Sequence, residues 1–289
     1  MRRALIVAAA ALLAVSFARP VAAQGGLLGR VARVAGGAAA GSFGIGLQKE
    51  REIGRNVAAV VAGRWQVVNN AALNDYVNMV GTVVAQQSPR YTEVPFRFAV
   101  LDTAEVNAFA APGGYIFVTR GALELMESEA ELAGVLAHEV AHVDQKHVLE
   151  SMRKANMLQG ARSEADLDGF LMDQLAGQLT GIIFTGLATE DEMESDSLGM
   201  LYAAAAGYRP DGLLTFARRL QTGETNERRR GLLADLKATH PDPALRIAAM
   251  ERQLTAASLN ATAGQLLAER FRRHVGRGQP AARPAGRRQ

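Results

Sequence analysis

Apolar and polar residues follow different rhythms along this 289-residue chain, and each rhythm predicts a different kind of element. An apolar run from Ala4 to Phe17 stands behind Arg2 and Arg3 and ahead of the small residues Val21, Ala22 and Ala23. That order reads as a secretory signal peptide over residues 1–23, cleaved after Ala23. The run is short against the roughly 20 residues a spanning helix needs. Residues 24–48 are rich in Gly and Ala with scattered Leu, Val and Ile, and read as a mobile arm. A helical period follows at 49–63 and at 71–87, and Pro89 and Pro95 break it. Between Pro95 and Thr119 the period shortens to two. Residues 96–101, 106–110 and 115–119 read as short strands, the last two joined by a Pro112-Gly113-Gly114 turn. From Gly121 to about residue 272 only helical periodicity and turn signals remain. One predicted helix runs from Glu129 to about Glu150, opened by Ser128 and Glu131 as a capping box, with an apolar stripe of Leu132, Val135, Leu136, Val140 and Val143. The class is therefore α+β with helices predominating. A small sheet of about three strands lies beside that helix, in one domain over 49–269.

Charge narrows the choice of partners. The formal net charge of +3 falls to about 0 once Arg2, Arg3 and Arg19 leave with the signal peptide. From Arg270 onward there are seven arginines and no acidic residue, so residues 270–289 read as a solvated, disordered tail and the folded body is acidic. Nucleic acid is thus not an expected partner. The arm and the tail leave room for peripheral contact with anionic lipid. Leu175 to Ala188 is only moderately apolar and is interrupted by Gln178 and glycines, which predicts a buried or lid helix and not a span. The chain has no cysteine, so any metal must be held by His, Asp or Glu.

The chemistry concentrates in His138-Glu139-Val140-Ala141-His142. Two histidines four residues apart share a helical face, where both imidazoles can reach one ion at about 2.0 Å. Glu139 is rotated off that face, where it can reach a metal-activated water as general base. His147 is five residues beyond His142 and off the shared face, and reads as supporting rather than ligating. A catalytic zinc site needs a third protein ligand. The cluster Glu190-Asp191-Glu192-Met193-Glu194-Ser195-Asp196 offers five carboxylates, and spacing does not choose among them. Glu192 could equally be the glutamate of a capping box opened by Thr189.

These segments resemble the zinc metallopeptidases of the CAAX prenyl endopeptidase and HtpX type, in particular their soluble periplasmic BepA-like branch. The likeness is carried by Glu52-Ile53-Gly54-Arg55, by Asn107 through Gly121, by His138 to His142, by Glu192 to Asp196, and by Thr239-His240-Pro241-Asp242-Pro243-Ala244-Leu245-Arg246-Ile247. The resemblance implies a zincin-type domain holding one Zn2+ per chain, with Glu192 as third ligand and Asp196 orienting a ligand histidine. It departs from the usual pattern at Ser195, where the family has Ala. The resemblance also implies substrate contact at Asn107, Ala108 and Ala110, on a strand whose edge could pair with an extended peptide. Phe109 reads better as core. His240 would stabilise the oxyanion or hold the site inactive, with Arg246 a second cationic candidate. The expected function is an endopeptidase for unfolded or misassembled envelope proteins in the periplasm. The alternative is a zinc-bound, largely autoinhibited chaperone or assembly factor. The chain ends soon after the His-Pro segment, so no helical-repeat domain is expected to dock partners.

Overall fold

The computed structural model describes residues 45–154, 170–223, 236, 239, 240, 242–256 and 259–276. The expected signal peptide and most of the 24–48 arm lie outside the described residues. Helix α1 (Leu47–Arg64) places Ile53, Val57 and Val61 on one buried face, the i, i+4, i+8 spacing of an amphipathic helix. Helix α2 (Ala71–Ala85) is capped by Asn70, whose side chain accepts the Leu73 N–H, and buries Leu73, Val77, Val80 and Val84.

The sheet has three strands, β1 (Arg97–Leu101), β2 (Ala108–Ala111) and β3 (Tyr115–Thr119), in the spatial order β1-β3-β2. β3 runs parallel to β1 and antiparallel to β2, with Ala108 opposite Val118 and Ala110 opposite Ile116. The β2–β3 turn is tight because Gly113 and Gly114 take φ of 71° and 92°, a region L side chains disfavour. The second strand starts at Ala108, two residues later than its pattern suggests. At Asn107 the Thr119 N–H donates to the carbonyl at 2.9 Å, and the Thr119 hydroxyl accepts the Asn107 N–H and donates to the same carbonyl, each at 3.0 Å.

Alternation divides the sheet between two cores. Phe98, Val100, Ala108, Ala110, Ile116 and Val118 face the larger core, while Leu101, Phe109 and Phe117 face a smaller one that includes Ile53, Val57, Val61, Leu149, Met152 and Leu179. Phe109 is thus a core residue, packed at ring-centroid distances of 5.7–5.8 Å from Trp65, Phe117 and Phe184.

After α3 (Arg120–Leu125) comes the central helix, α4 (Glu129–Asp144), buried from Glu129 through Val143. Half of the expected capping box forms. Ser128 accepts the Glu131 N–H, but the Glu131 carboxylate takes the Glu127 N–H and the Arg219 guanidinium instead of closing on Ser128. The helix also ends at Asp144 and not near Glu150. Lys146 has φ 56°, a left-handed conformation that cannot continue a right-handed helix, and α5 (His147–Lys154) restarts in a new direction. Val148, Leu149 and Met152 consequently join the smaller core.

The remaining helices are α6 (Phe170–Thr185), α7 (Thr189–Ala205), α8 (Gly212–Gly223), α9 (Pro243–Ala256) and α10 (Ala268–Val275). α6 contributes buried Leu179 and Ile183 to the smaller core, and no described helix is long and apolar enough to cross a membrane. The arginine-rich tail needs correcting at its start. Residues 270–275 are helical, Phe271 is buried, His274 stacks on Tyr76, and Arg270 pairs with the buried Glu129 carboxylate. The specific partners at these positions outweigh the tail's composition. Residues 277–289 lie outside the described residues.

Candidate metal centre and active site

Helical spacing on α4 brings His138 and His142 together with their Nε2 atoms 2.9 Å apart, both rings almost fully buried. α7 crosses close to this point because Gly199 carries no side chain. A Cβ there would lie 2.9 Å from the His138 backbone nitrogen. Ser195, Asp196 and Glu192, one and two turns before Gly199, therefore face α4 and are buried, whereas Glu190 is exposed and Glu194 half-buried. Glu192 Oε2 lies 3.5 Å from His138 Nε2, and Oε1 lies 3.4 Å from His142 Nε2. Thr189 is not the cap of α7. That position belongs to Ala188, and the Thr189 hydroxyl donates to Asp242 at 2.7 Å, so Glu192 does not serve in a capping box.

The donor set fits a divalent cation. Two imidazole nitrogens and a carboxylate converge in a site closed to solvent, and Glu192 Oε1 has no hydrogen-bond partner. A buried, unpaired carboxylate oxygen is costly unless a positive charge meets it. Tetrahedral ligands bonded at about 2.0–2.1 Å stand roughly 3.3 Å apart, close to the 3.4 and 3.5 Å between Glu192 and the two rings. His240 adds a fourth donor within 4.8 Å of the others. As placed, however, its Nδ1 is 2.8 Å from Glu192 Oε2 and its Nε2 is 3.1 Å from the Ala108 carbonyl. Both partners are acceptors, so both ring nitrogens donate and neither presents a lone pair.

A further layer of contacts fixes the rings. Asp196 Oδ1 lies 3.0 Å from His138 Nδ1, and Asp196 is itself clamped by Arg246 at 2.7 and 2.8 Å. Arg246 also reaches Glu192 Oε2 at 2.8 Å. His142 Nδ1 lies 2.9 Å from His147 Nδ1 and 3.1 Å from the Ser195 hydroxyl, and His147 Nε2 lies 3.4 Å from Glu194. If His147 Nε2 carries the proton shared with Glu194, its Nδ1 accepts from His142 Nδ1–H, which leaves the His142 Nε2 lone pair facing Glu192.

Without metal, these charges pull the groups apart. Burial opposes charge on His138, but Asp196 and Glu192 raise its pKa to about 9. Burial and the neighbouring His138 charge push His142 down to about 3. Burial would raise Asp196, yet Arg246 and His138 hold it at about 2. Glu192 is lowered against its burial by His240, His138 and His142, and His240 is raised against its burial by Glu192. Glu139, almost fully buried one residue from His138, is raised by burial.

Of the residues singled out in the sequence, His138, His142, Glu192, His240, Asp196 and Arg246 thus meet around one point, with Glu139 beside it. The expected substrate strand is less open than its pattern implied. Asn107, Ala108 and Ala110 are buried, the Asn107 side chain accepts from the Ala108 N–H and the Thr239 hydroxyl, and His240 occupies the Ala108 carbonyl. His147, read from the sequence as supporting rather than ligating, touches His142 Nδ1, and the Ser195 hydroxyl beside it was not foreseen. Five-residue spacing places His147 off the ligand face of a continuous helix, and only the turn at Lys146 swings it back.

Comparison with known proteins agrees with this geometry. The model of peptidase family M48 matches residues 71–254. The beta-barrel assembly-enhancing protease of Escherichia coli K12 is 26% identical over 226 residues, covering 73% of this chain and 45% of that protein. A putative beta-barrel assembly-enhancing protease of Vibrio cholerae is 32% identical over 169 residues, 53% of this chain and 34% of that protein. The mitochondrial metalloendopeptidase OMA1 of Arabidopsis thaliana is 34% identical over 118 residues, 40% of this chain and 24% of that protein. The chain therefore spans less than half the length of these relatives. The family match runs from α2 to α9 and takes in every residue of the His-His-Glu cluster, and on that ground the chain belongs to peptidase family M48.

Proposed function

We propose that this chain is a zinc-dependent endopeptidase acting on unfolded or misassembled envelope proteins in a bacterial periplasm. The observation that carries the reading is the buried Glu192 carboxylate, whose Oε2 lies 3.5 Å from His138 Nε2 and whose Oε1, without a hydrogen-bond partner, lies 3.4 Å from His142 Nε2. His138, His142 and Glu192 would hold the ion. Bound zinc supplies Lewis acidity, enough to bring the pKa of a water to about 7.

The chain's own residues supply the rest. Burial raises the proton affinity of Glu139, which suits it to take a proton from water and return it to the leaving amine. Asp196 holds His138 in the tautomer whose Nε2 faces inward, and Arg246 keeps Asp196 ionised. His240, donating through both nitrogens, is placed to meet developing negative charge on the substrate carbonyl once it leaves the Ala108 oxygen. Asn107, Ala108 and Ala110 would then receive an extended peptide by backbone pairing, with little demand on most side chains. The names of the bacterial relatives, together with the secretory signal expected from the pattern of residues 1–23, support envelope proteins as the substrate class.

A second reading, a zinc-bound chaperone or assembly factor with proteolysis held off, is favoured by one contact. His240 bridges Glu192 and the strand edge that a substrate would need. Measuring metal content and following chelator-sensitive cleavage of unfolded casein separates the two. About one zinc per chain, cleavage, and its loss by about 10²- to 10⁴-fold in Glu139→Gln with zinc retained support the peptidase. Zinc without cleavage, restored by His240→Ala, supports the second reading. Full activity in Glu139→Gln overturns the assigned role.

A further inference from the structure

A buried ion pair stands between the two elements that carry the site, and the metal cluster does not use it. Glu50, in the first turn of α1, is almost fully buried, and both of its oxygens are taken. Oε1 accepts the Gly113 N–H at 3.2 Å, in the turn between β2 and β3. Oε2 lies 2.7 Å from Arg90 Nη2 and 3.6 Å from Lys146 Nζ. Arg90 donates in turn from Nη1 to the Val143 carbonyl at 2.7 Å, one residue beyond His142 in the last turn of α4. Ser88 ties the loop that carries Arg90 to the same helix end, since its hydroxyl donates to Asp144 and accepts the Arg90 N–H.

These contacts join the candidate substrate strand to the metal helix. The β2–β3 turn lies directly on α1: a Cβ at Gly54 would fall 1.7 Å from the Pro112 carbonyl oxygen, and one at Gly113 would fall 2.9 Å from Arg51 Cα. Glu50, Ala110 of β2 and His142 of α4 border one cavity of about 10 Å³, room for a single water at most. Lys146 is the left-handed residue that turns the chain after α4 and brings His147 to His142 Nδ1. Stability alone is a weak reason for such a pair. Taking two charges out of water offsets most of their attraction, and apolar residues of similar volume often serve as well or better. Apolar burial is non-directional, however, whereas charge-assisted hydrogen bonds fix distance and orientation.

We propose that Glu50, acting through Arg90, is a positioning residue for catalysis: it sets the spacing between β2, with any peptide paired along it, and the His138, Glu139 and His142 side chains of α4. This rests on the peptidase reading of the site. Glu50 itself is no ligand, because Gly113, Arg90 and Lys146 already meet its oxygens. Its importance lies in what it joins. A displacement of about 1 Å between reacting groups can cost about 10²-fold in rate, so a brace remote from the chemistry has leverage on turnover that its share of the stability does not reveal.

Glu50→Gln tests this, because it keeps the size and an acceptor for Gly113 while removing the charge that holds Arg90. Loaded with zinc and assayed well below its melting temperature, it should cut unfolded casein with kcat lowered about 10²-fold, while KM and zinc affinity stay within about threefold. Arg90→Gln should behave alike, and the double variant should lose no more than either single one, since both remove one brace. Unchanged kcat in the folded variants, or single losses that multiply in the double variant, overturns the proposal. Glu50→Met with Arg90→Met, an apolar replacement of the pair, serves if the single variants do not fold; it should still lose kcat about 10²-fold, and full kcat overturns the proposal. If the wild-type chain cuts nothing, the peptidase reading fails, and the brace is judged by amide hydrogen exchange on the metal-free chain. In Glu50→Gln the segments 108–114 and 141–147 should exchange at least about tenfold faster, while α8 keeps its rate. Equal acceleration everywhere, or none, overturns the brace.

Discussion

Glu129 and Glu192 are both fully buried carboxylates placed against the same helix, and they differ in what meets their oxygens. At the start of α4, Glu129 is saturated. Tyr208 donates at 2.8 Å, Tyr76 at 2.9 Å, and Arg270 reaches both oxygens. Toward the other end, Glu192 Oε2 is taken by His240 and Arg246 while Oε1 has no hydrogen-bond partner and faces His142 Nε2 at 3.4 Å. A saturated buried charge joins parts of the chain, here α2, α4 and α10. A buried charge left one bond short has the geometry of a ligand, because only a cation completes it. Burial alone does not tell structure from function; the count of partners does.

That contrast can be broken most sharply by the same substitution at both places. Glu192→Gln removes a ligand and should lower zinc affinity by at least about 10²-fold, more than the 10- to 100-fold typical of supporting residues, while the metal-free chain still folds. Glu129→Gln should leave zinc affinity unchanged and cost stability on the order of 3 kcal/mol, since Arg270 loses its counter-charge. Chelator competition and thermal melts read the two effects. If each variant changed both quantities equally, the distinction would be lost.

The next effect concerns pH. In the metal-free fold His138 is raised to about 9, above its unfolded 6.5, so the native state binds more protons than the unfolded state in between. Its contribution, of order 3 kcal/mol, is fully present below about pH 6.5 and is lost as pH rises through 9. Zinc must displace that proton, so zinc affinity should rise about tenfold per pH unit from pH 7 to 9 and then flatten. A flat affinity over this range would show that His138 is already neutral. Smaller still, Asp196→Asn should cost about 10- to 100-fold in zinc affinity by loosening His138. Ser195→Ala should cost less than about tenfold, the worth of one hydroxyl hydrogen bond, because His147 still holds His142 Nδ1. A loss at Ser195 as large as at Asp196 would make the hydroxyl, and not His147, the group that orients His142.

Much of this was legible in residue spacing. The i, i+4 histidines on an apolar stripe required a helix, and the alternation at 97–101 and 115–119 required strands, because side-chain direction follows backbone period whatever surrounds it. Less legible was anything that turned on a single backbone angle or a distant partner. The helix expected to run to about Glu150 ends at Asp144, because the left-handed Lys146 turns the chain and sends Val148 and Leu149 to another core. Arg270 looked like the first residue of a solvated tail until Glu129, far away in sequence, fixed it in place.

The sequence by itself determined that two imidazoles and a carboxylate could act together on α4, since helix geometry sets those positions locally. It also determined the α+β class, through the two hydrophobic periods. Only the tertiary structure decided which acid of the 190–196 cluster joins them. Helical spacing leaves Glu192 and Asp196 on one face and Glu190 and Glu194 on another, and the choice falls to the face where Gly199 lets α7 approach His138. It likewise decided that His240 lies over the strand edge, and that α8 and α9 leave an apolar space beside Glu139. These are contacts between segments far apart in sequence, and no local period encodes them.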